Sequence, residues 1–346
     1  METIEKIAQH VPAWKGKKVT YERMSDYFMW NFNYVATADG KKYFVKIPGS
    51  GSDLFYNRDH IYAASKLAAE VGLGPKVTFY VPLQESAGYA EYRTGAAGVP
   101  FYTKDSGVQV DEWLEGYNGL RTDRWIFQHR FEGDFLFKSV DALKKFHNSG
   151  KELPNKDTAF VTIRKLADIA KQYSTFVPRE MPYLMNLVDR IEEAVQANGG
   201  IKAKPNVANL NDRWTWDFMW NEDTGDMKVV DYEWACMDDV CHDLATMSTS
   251  SMLYDDHDEE LLKYYFGEVD PFQFARFKLY KFLVCIKGCL VYAILDKFRP
   301  AAYDYIRDYA WKMMRLRCLL RDPRTENWVW MVKNHDVYDQ WKGYPL

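Results

Sequence analysis

The chain has 346 residues, of which 47% are apolar and 16% aromatic, and its formal net charge is −4. This length and aromatic content favour a globular protein of two lobes or domains and exclude a fibrous or disordered chain. The weakly acidic balance gives no electrostatic reason to expect nucleic-acid or anionic-membrane partners, since those select for clustered lysine and arginine. We therefore expect small-molecule partners, and the oligomeric state stays open.

The amino-terminal stretch lacks the uninterrupted apolar core of a signal peptide. No run in the sequence reaches the ~18 apolar residues that a membrane span needs. The expected location is therefore cytoplasmic, with no membrane partner. The five cysteines show no paired CxxC spacing, and we expect them to be reduced thiols, mostly small buried residues.

The amino-terminal third is predicted to consist of strands and turns around one helix. Two β-rich runs flank Asp39-Gly40 within residues 32–48, and Asp-Gly is a strong hairpin signal. Residues 53–71 have apolar side chains at helical spacing and end at a Gly-rich stop. Further strands are predicted at 76–82, 88–92 and 108–113, a Gly-rich loop at 94–100, and a linker at 114–119.

The rest of the chain has helical periodicity. The predicted helices cover 137–148, 160–174, 182–197, 259–266, 272–297 and 303–320, with one strand at 227–232. The predicted fold class is α+β with two lobes. An α+β lobe would comprise residues 1–116, and a mostly helical lobe would comprise residues 117–346.

Two groups of carboxylates in the second lobe could take part in chemistry. Asp212 and Asp217 lie five residues apart just before an apolar run, and Asp231 follows the apolar strand residues in the stretch VVDYEW. Carboxylates at strand ends face a cleft, and pairs of hard oxygen ligands suit Mg²⁺. The spacing therefore predicts a metal site in the second lobe.

In order along the chain, seven stretches resemble the signature of the choline and ethanolamine kinases, which have the two-lobed, protein-kinase-like fold of the aminoglycoside phosphotransferases. The resemblance runs from about residue 20 to residue 300, and the order of the stretches matters more than any one of them. The stretches are NFNY at 31–34, VKIPG at 45–49 with NR at 57–58, LGPKV at 73–77, ALKKFHNSG at 142–150, LNDRWTWD at 210–217, MKVVDYEW at 227–234 and DDVCHDLA at 238–245.

The resemblance implies an ATP-dependent kinase that uses Mg²⁺ and phosphorylates a hydroxyl group of a small molecule. Its first lobe would bind the nucleotide, and its second lobe would hold the catalytic and acceptor sites. The implied site residues are Asp212 as catalytic base, Lys46 at the nucleotide phosphates, the backbone of Glu112, Trp113 and Leu114 at adenine, Asp217 and Asp231 at the metal, and Glu233, Trp234 and Lys287 at the acceptor.

Several positions depart from the family's pattern on the nucleotide side. Leu210 stands where the family has a loop-bracing histidine, so we expect packing to support the catalytic loop. Asp217 replaces a metal-binding asparagine, which keeps a Mg²⁺ ligand but adds negative charge. The phosphate-covering loop, residues 24–30, lacks the family's glycines and would hinder close backbone approach to phosphate.

The helix glutamate that orients the strand lysine in the family falls on Ile61 in this chain. Lys46 therefore loses its ion-pair partner, unless Asp59 or Glu70 substitutes for it.

The choline pocket is altered as well. Quaternary ammonium groups are held by aromatic cages, but Val284 and Lys287 stand where the family's helix has two tryptophans, and Ser250 stands where it has an acid. A neutral, anionic or amino-acid-like hydroxyl compound therefore fits better than choline. The alternative is that Lys287 faces solvent on an amphipathic helix.

Two function classes remain. The kinase hypothesis is favoured because Lys46, Asp212 and Asp231 all persist; the alternative is a pseudokinase, or a repurposed relative, that binds a ligand or partner without phosphoryl transfer. Hydrolase and zinc-enzyme motifs are absent from the sequence, and His147 is explained as a helix-end residue.

Overall fold

The computed structural model describes residues 11–24, 31–48, 52–82, 107–119, 134–197, 206–211, 217–298 and 303–335. The predicted strand at 88–92, the predicted loop at 94–100, nearly all of the phosphate-covering loop and Asp212 lie outside these residues. Ten strands and nine α-helices occupy the described ranges.

The strands are β1 (Val19–Arg23), β2 (Asn31–Ala38), β3 (Lys41–Pro48), β4 (Val77–Pro82), β5 (Gly107–Glu112), β6 (Tyr117–Gly119), β7 (Val207–Asn209), β8 (Phe218–Asn221), β9 (Asp226–Val229) and β10 (Cys236–Asp238). The helices are α1 (Arg58–Glu70), α2 (Asp134–His147), α3 (Ala159–Gln172), α4 (Met181–Ala197), α5 (Val240–Ser250), α6 (Asp255–Phe266), α7 (Pro271–Phe298), α8 (Tyr305–Leu320) and α9 (Thr325–Lys333).

Five strands form an antiparallel sheet in the order β1-β2-β3-β5-β4. The predicted hairpin is confirmed as β2 and β3, joined at Asp39 and Gly40, whose φ angles of 50° and 78° lie in the left-handed region. That region favours glycine and tolerates aspartate, which explains why these two residues form the turn.

The two faces of this sheet differ in polarity because successive side chains point to opposite sides. One face carries a small apolar core that includes Trp14, Val45 and Val110. The other face carries Lys46, which lies between Asn33 on β2 and Gln109 on β5 in the strand register. The polar face is the one that bears the candidate site.

Helix α1 begins at Arg58, five residues later than predicted, because the Asn57 side chain caps it by accepting from two backbone N–H groups of the first turn. Its buried residues include Ile61 and Leu67, which belong to the apolar core that continues through the helical lobe. After the helix, the carbonyl of Leu73 accepts a hydrogen bond of 2.8 Å from the backbone N–H of Val229 on β9.

The second lobe is mostly helical, as predicted. The six predicted helices are confirmed as α2, α3, α4, α6, α7 and α8, with ends shifted by up to four residues. Helix α7 is buried along almost its whole length and packs against α3, α5, α8 and α9. It therefore forms the centre of this lobe's core.

The small sheet β6-β8-β9 lies next to the helices. Residues 117–119 were predicted as part of a linker, and this is wrong, because Tyr117–Gly119 pairs with β8. The strand predicted at 227–232 is shorter, since β9 ends at Val229. Asp231 therefore lies two residues beyond the strand, just before the turn at 233–234.

The fold class is α+β with two lobes, as predicted. Four of the five cysteines are buried, Cys318 is exposed, and all five are free. Among the helices of the described residues, none combines the length and apolarity required to cross a lipid bilayer.

Candidate active site

Lys46, on β3, forms ion pairs with acids of the second lobe. Its ammonium nitrogen lies 3.1 Å from an Oδ of Asp231 and 3.3 Å from an Oε of Glu233, both in the second lobe. The structure thus brings together the predicted phosphate-binding lysine and the predicted metal-binding acid. Glu233, predicted at the acceptor, lies beside that lysine, and its acceptor role stays a prediction.

The two carboxylates differ in exposure and conformation. The side chain of Asp231 is 44% exposed, whereas that of Glu233 is 3% exposed. Asp231 has a φ angle of 71°, a left-handed conformation that is uncommon outside glycine and that clusters at functional sites. Asp231 is therefore accessible to solvent beside Lys46, whereas Glu233 is buried beside it.

Glu233 is ionised in its buried position. Burial would raise the pKa of this carboxyl, but the charges of Lys46 and Arg58 and a hydrogen bond from Asn31 lower the pKa below its ordinary value. The Asn31 amide donates to Oε1 of Glu233 at 2.8 Å, and Arg58 in turn donates to the Asn31 amide oxygen at 2.8 Å.

Neither proposed substitute for the helix glutamate reaches the lysine. Asp59 accepts a hydrogen bond of 2.5 Å from the Tyr80 hydroxyl, and Glu70 is an exposed residue at the far end of α1. Ile61 is buried in the apolar core. Within the described residues, the acids that pair with Lys46 both come from the second lobe.

The expectation that packing alone supports the catalytic loop is wrong. The carboxylate of Asp243 accepts hydrogen bonds from the backbone N–H groups of Leu210, at 2.8 Å, and Asn211, at 2.5 Å. Asn211 has a φ angle of 59°. A buried carboxylate therefore holds the backbone immediately before Asp212, which itself lies outside the described residues.

His147 is more than a helix-end residue, contrary to its predicted role. Its Nε2 lies 2.9 Å from the same Asp243 carboxylate, and its Nδ1 lies 2.7 Å from the Tyr265 hydroxyl. Burial and the nearby charge of Asp243 raise the pKa of Tyr265, so this hydroxyl keeps its proton. The loop is thus connected by hydrogen bonds to α2 and α6.

Asp217, the second predicted metal ligand, is buried at the start of β8. Its backbone carbonyl accepts a hydrogen bond of 2.9 Å from the N–H of Val230, the residue before Asp231. Among the described side chains no group of three or more His, Cys, Asp or Glu is arranged to hold a metal ion. The metal role of Asp217 and Asp231 stays a prediction.

The predicted adenine-binding segment, residues 112–114, joins the five-stranded sheet to the second lobe. The N–H of Glu112 donates to the carbonyl of Lys76 at 2.9 Å, and the Trp113 ring centroid lies 5.7 Å from the Lys42 ammonium. The carbonyl of Leu114 accepts from Tyr117 at the start of β6. This backbone lies at the position expected for a hinge, and its adenine contact stays a prediction.

A buried acid that was not predicted lies behind Lys46. Asp111 on β5 is buried, which raises its pKa to about 7, although the charge of Lys46 and a hydrogen bond from Gln109 act in the opposite direction. Gln109 also donates to Ser65 on α1 at 3.1 Å. The sequence does contain a pattern that indicates this acid, since Gln109 and Asp111 alternate with Val108 and Val110 and must share the opposite face of the strand.

Lys287, predicted at the acceptor site, does not face solvent. It is 7% exposed, its ammonium donates to the carbonyl of Asn211 at 2.7 Å, and it lies 4.2 Å from the centroid of the Trp234 ring. Trp234 packs at right angles against Tyr56, with 5.0 Å between ring centroids. Lys287 and Trp234 are thus in contact beside the catalytic loop.

A family model described as the phosphotransferase enzyme family matches residues 30–280. The chain belongs to this family. The match covers both lobes and includes Lys46, Asp212, Asp217 and Asp231. No curated protein sequence matches the chain.

Solved structures with the same fold include kinases of small molecules. A choline/ethanolamine kinase family protein from Mesorhizobium loti is 21% identical, with a TM-score of 0.69, over 96% of this chain and 99% of that one. The choline kinase LicA from Streptococcus pneumoniae is 20% identical, with a TM-score of 0.68, over 91% and 99% of the two chains. A structure of LicA in complex with AMP is similar at 20% identity and a TM-score of 0.67, over 92% and 99%.

These similarities confirm the fold predicted from the ordered motifs. Family membership identifies the chain as a phosphotransferase, and the solved structures show that it has the fold of small-molecule kinases.

Proposed function

We propose that the protein transfers the γ-phosphoryl group of ATP to the hydroxyl of a small neutral or anionic compound other than choline. The observation that supports this most directly is the 3.1 Å contact between Lys46 and Asp231, because phosphoryl transfer needs a lysine and a metal-binding acid on the same phosphates. That LicA was solved with AMP supports a nucleotide in the cleft.

The acids beside Lys46 suit Mg²⁺. Glu233 has one buried oxygen, Oε2, with no hydrogen-bond partner among the described residues, and a carboxylate oxygen without a donor is a suitable ligand for Mg²⁺. Asp231 and Asp217 would hold the ion together with this oxygen. Bound there, Mg²⁺ would neutralise charge on the phosphates.

The chain's own residues would contribute to catalysis by positioning the reacting groups. Lys46 would bind phosphate oxygens, and Asp212 would accept the proton of the attacking hydroxyl. The two hydrogen bonds from Leu210 and Asn211 to Asp243 support this role, since they fix the backbone that leads into Asp212. A base held by a rigid loop loses less entropy when the reactants align.

The charge of the acceptor is inferred from the position of Lys287. Its ammonium already lies on the Trp234 ring at 4.2 Å, so a cationic acceptor would compete with a fixed positive charge for that ring. A neutral hydroxyl compound, or one with a carboxylate or phosphate, meets no such repulsion. This favours an acceptor unlike choline.

The test is a thermal-shift titration with MgATP, followed by ADP-release assays over neutral, anionic and cationic small alcohols. We expect stabilisation by MgATP and turnover with a neutral or anionic alcohol. Asp212→Ala should abolish turnover and leave nucleotide binding nearly intact.

Stabilisation by nucleotide without turnover on any acceptor would instead favour the pseudokinase. The buried, apolar residues Ile61 and Leu210 favour the pseudokinase, since both stand where the family's catalytic machinery has polar residues. Turnover restricted to choline would contradict the proposed acceptor class.

A further inference from the structure

Lys46 needs an orienting partner that does not come directly from α1. In this chain the α1 position that would carry an acid is Ile61, which is 4% exposed and packed in the core. The lysine is instead paired with acids of the second lobe, of which Glu233 is the buried one. What holds Glu233 therefore decides where the Lys46 ammonium lies.

A second buried charge, Arg58, lies at the first residue of α1. It is 4% exposed and donates to the Ser52 hydroxyl at 2.6 Å and to the Asn31 amide oxygen at 2.8 Å. Among the described side chains, no carboxylate lies within ion-pair distance of its guanidinium. A buried guanidinium needs a compensating charge, and the carboxylate on which its charge acts is Glu233.

Asn31 connects the two charges, and chemistry fixes its orientation. A guanidinium can only donate and a carboxylate can only accept, so the amide oxygen must face Arg58 and the amide nitrogen must face Glu233. Both distances are 2.8 Å. The result is an unbroken series of contacts from α1 through β2 and the second lobe to β3.

We propose that Arg58 is a positioning residue for Lys46, acting through Asn31 and Glu233, so that α1 orients the phosphate-binding lysine indirectly. The inference rests on the proposed function of the cleft. Without this relay, Glu233 would lose its fixed donor, and Lys46 would be drawn to Asp231, the exposed one of the three acids proposed to hold the metal. Nucleotide affinity would fall although Arg58 touches no nucleotide.

The experiment measures binding of Mg²⁺ and ADP by isothermal titration calorimetry and, where turnover is found, kcat and KM for ATP. We expect Arg58→Met to weaken nucleotide binding about 10–100-fold, the usual effect of losing a group that supports a ligand-binding residue. Arg276→Met is the matched control, because Arg276 is equally buried but lies on α7 in the second lobe. It should lower thermal stability and leave nucleotide affinity unchanged.

A rescue variant separates positioning from simple structural support. Ile61 is one turn before Ser65, whose hydroxyl accepts from Gln109, the neighbour of Lys46 in the sheet. Arg58→Met combined with Ile61→Glu would supply an acid on that face of α1 and should recover part of the lost affinity. If Arg58 only stabilised the helix, the buried glutamate would lower the stability further and would not restore nucleotide affinity.

The outcomes distinguish this inference from the proposed function. A wild-type protein that binds no nucleotide contradicts the function of the cleft. A wild type that binds, with Arg58→Met binding equally well or the double variant showing no recovery, contradicts only the relay. If Arg58→Met does not fold, the isosteric Asn31→Asp replaces it, since it keeps a partner for Arg58 but repels Glu233. An unchanged affinity in that variant also contradicts the relay.

Discussion

The two lysines of the candidate site, Lys46 and Lys287, have different surroundings. At the proposed nucleotide end, Lys46 contacts two carboxylates, and the buried one, Glu233, also accepts a hydrogen bond from Asn31. At the acceptor end, Lys287 donates to a backbone carbonyl and lies on an aromatic ring. Under the proposed function the first arrangement would bind phosphates and a metal, whereas the fixed ammonium of Lys287 in the second would disfavour a cationic acceptor. Phosphoryl transfer and acceptor choice can therefore be tested at separate lysines.

The largest effect on stability is expected for the loop that leads into Asp212, whose backbone is held by Asp243. Asp243→Ala would leave two buried backbone N–H groups and His147 without their acceptor. The free energy of unfolding should fall by about 2–5 kcal/mol, measured by urea denaturation. Asp141→Ala, which removes an exposed acid of α2, serves as the control, and an equal loss in both variants would contradict the loop's role.

At the nucleotide end, Asp111 should make stability depend on pH. Its pKa is raised from 3.8 to about 7, chiefly by burial, so between these values the unfolded chain has lost a proton that the folded chain keeps. Stability should therefore fall as pH rises from about 4 to 7, by on the order of 4 kcal/mol at most.

Asp111→Asn removes this titration and can still accept from Gln109. Its melting temperature should exceed that of the wild type increasingly from pH 5 to pH 8. A difference between the two proteins that does not vary with pH would show that Asp111 titrates normally.

Lys46→Met tests the nucleotide end directly. We expect kcat/KM for ATP to fall about 10²–10³-fold, as when one charge-stabilising donor is removed from an active site. Lys42→Met, on the same strand but near Trp113, is the matched control and should have little effect. Comparable losses in the two variants would indicate a general change in the sheet.

Lys287→Met sharpens the comparison at the acceptor end and should have the smallest effect on stability. The Asn211 carbonyl would lose its ammonium donor at a cost of about 1–3 kcal/mol. The Trp234 face would become available to a cation, an interaction worth about 0.5–2 kcal/mol. Calorimetry should then detect choline binding in the variant, and equal choline binding by the wild type would contradict the inferred acceptor class.

Local signals predicted much of the fold. Asp-Gly located the β2–β3 hairpin, and 3.6-residue periodicity located helices such as α3 and α4, whose apolar residues line one face. Helix α5 had no such stripe, because it is buried on nearly every side and rich in polar residues. The three-residue strands β7 and β10 are too short to show a period.

The site was predictable where function depends on residue type in a fixed order, and less so where it depends on distant pairs. The ordered motifs predicted that Lys46 and Asp231 would meet. They did not predict that Asn31 would contact Glu233, because those residues are separated by 202 positions and neither is unusual in its local context. Loop support by Asp243 was missed for the same reason.

The attachment of α1 has a mechanical consequence. Its apolar side chains belong to the large core, and the turn that follows it is hydrogen-bonded to β9, while the β2–β3 hairpin packs on a separate core across the sheet. Helix α1 therefore belongs by packing to the core of the helical lobe, although in chain order it lies within the first lobe. Its polar contacts with the sheet, Arg58 to Asn31 and Asp59 to Tyr80, make α1 the element that connects the two cores.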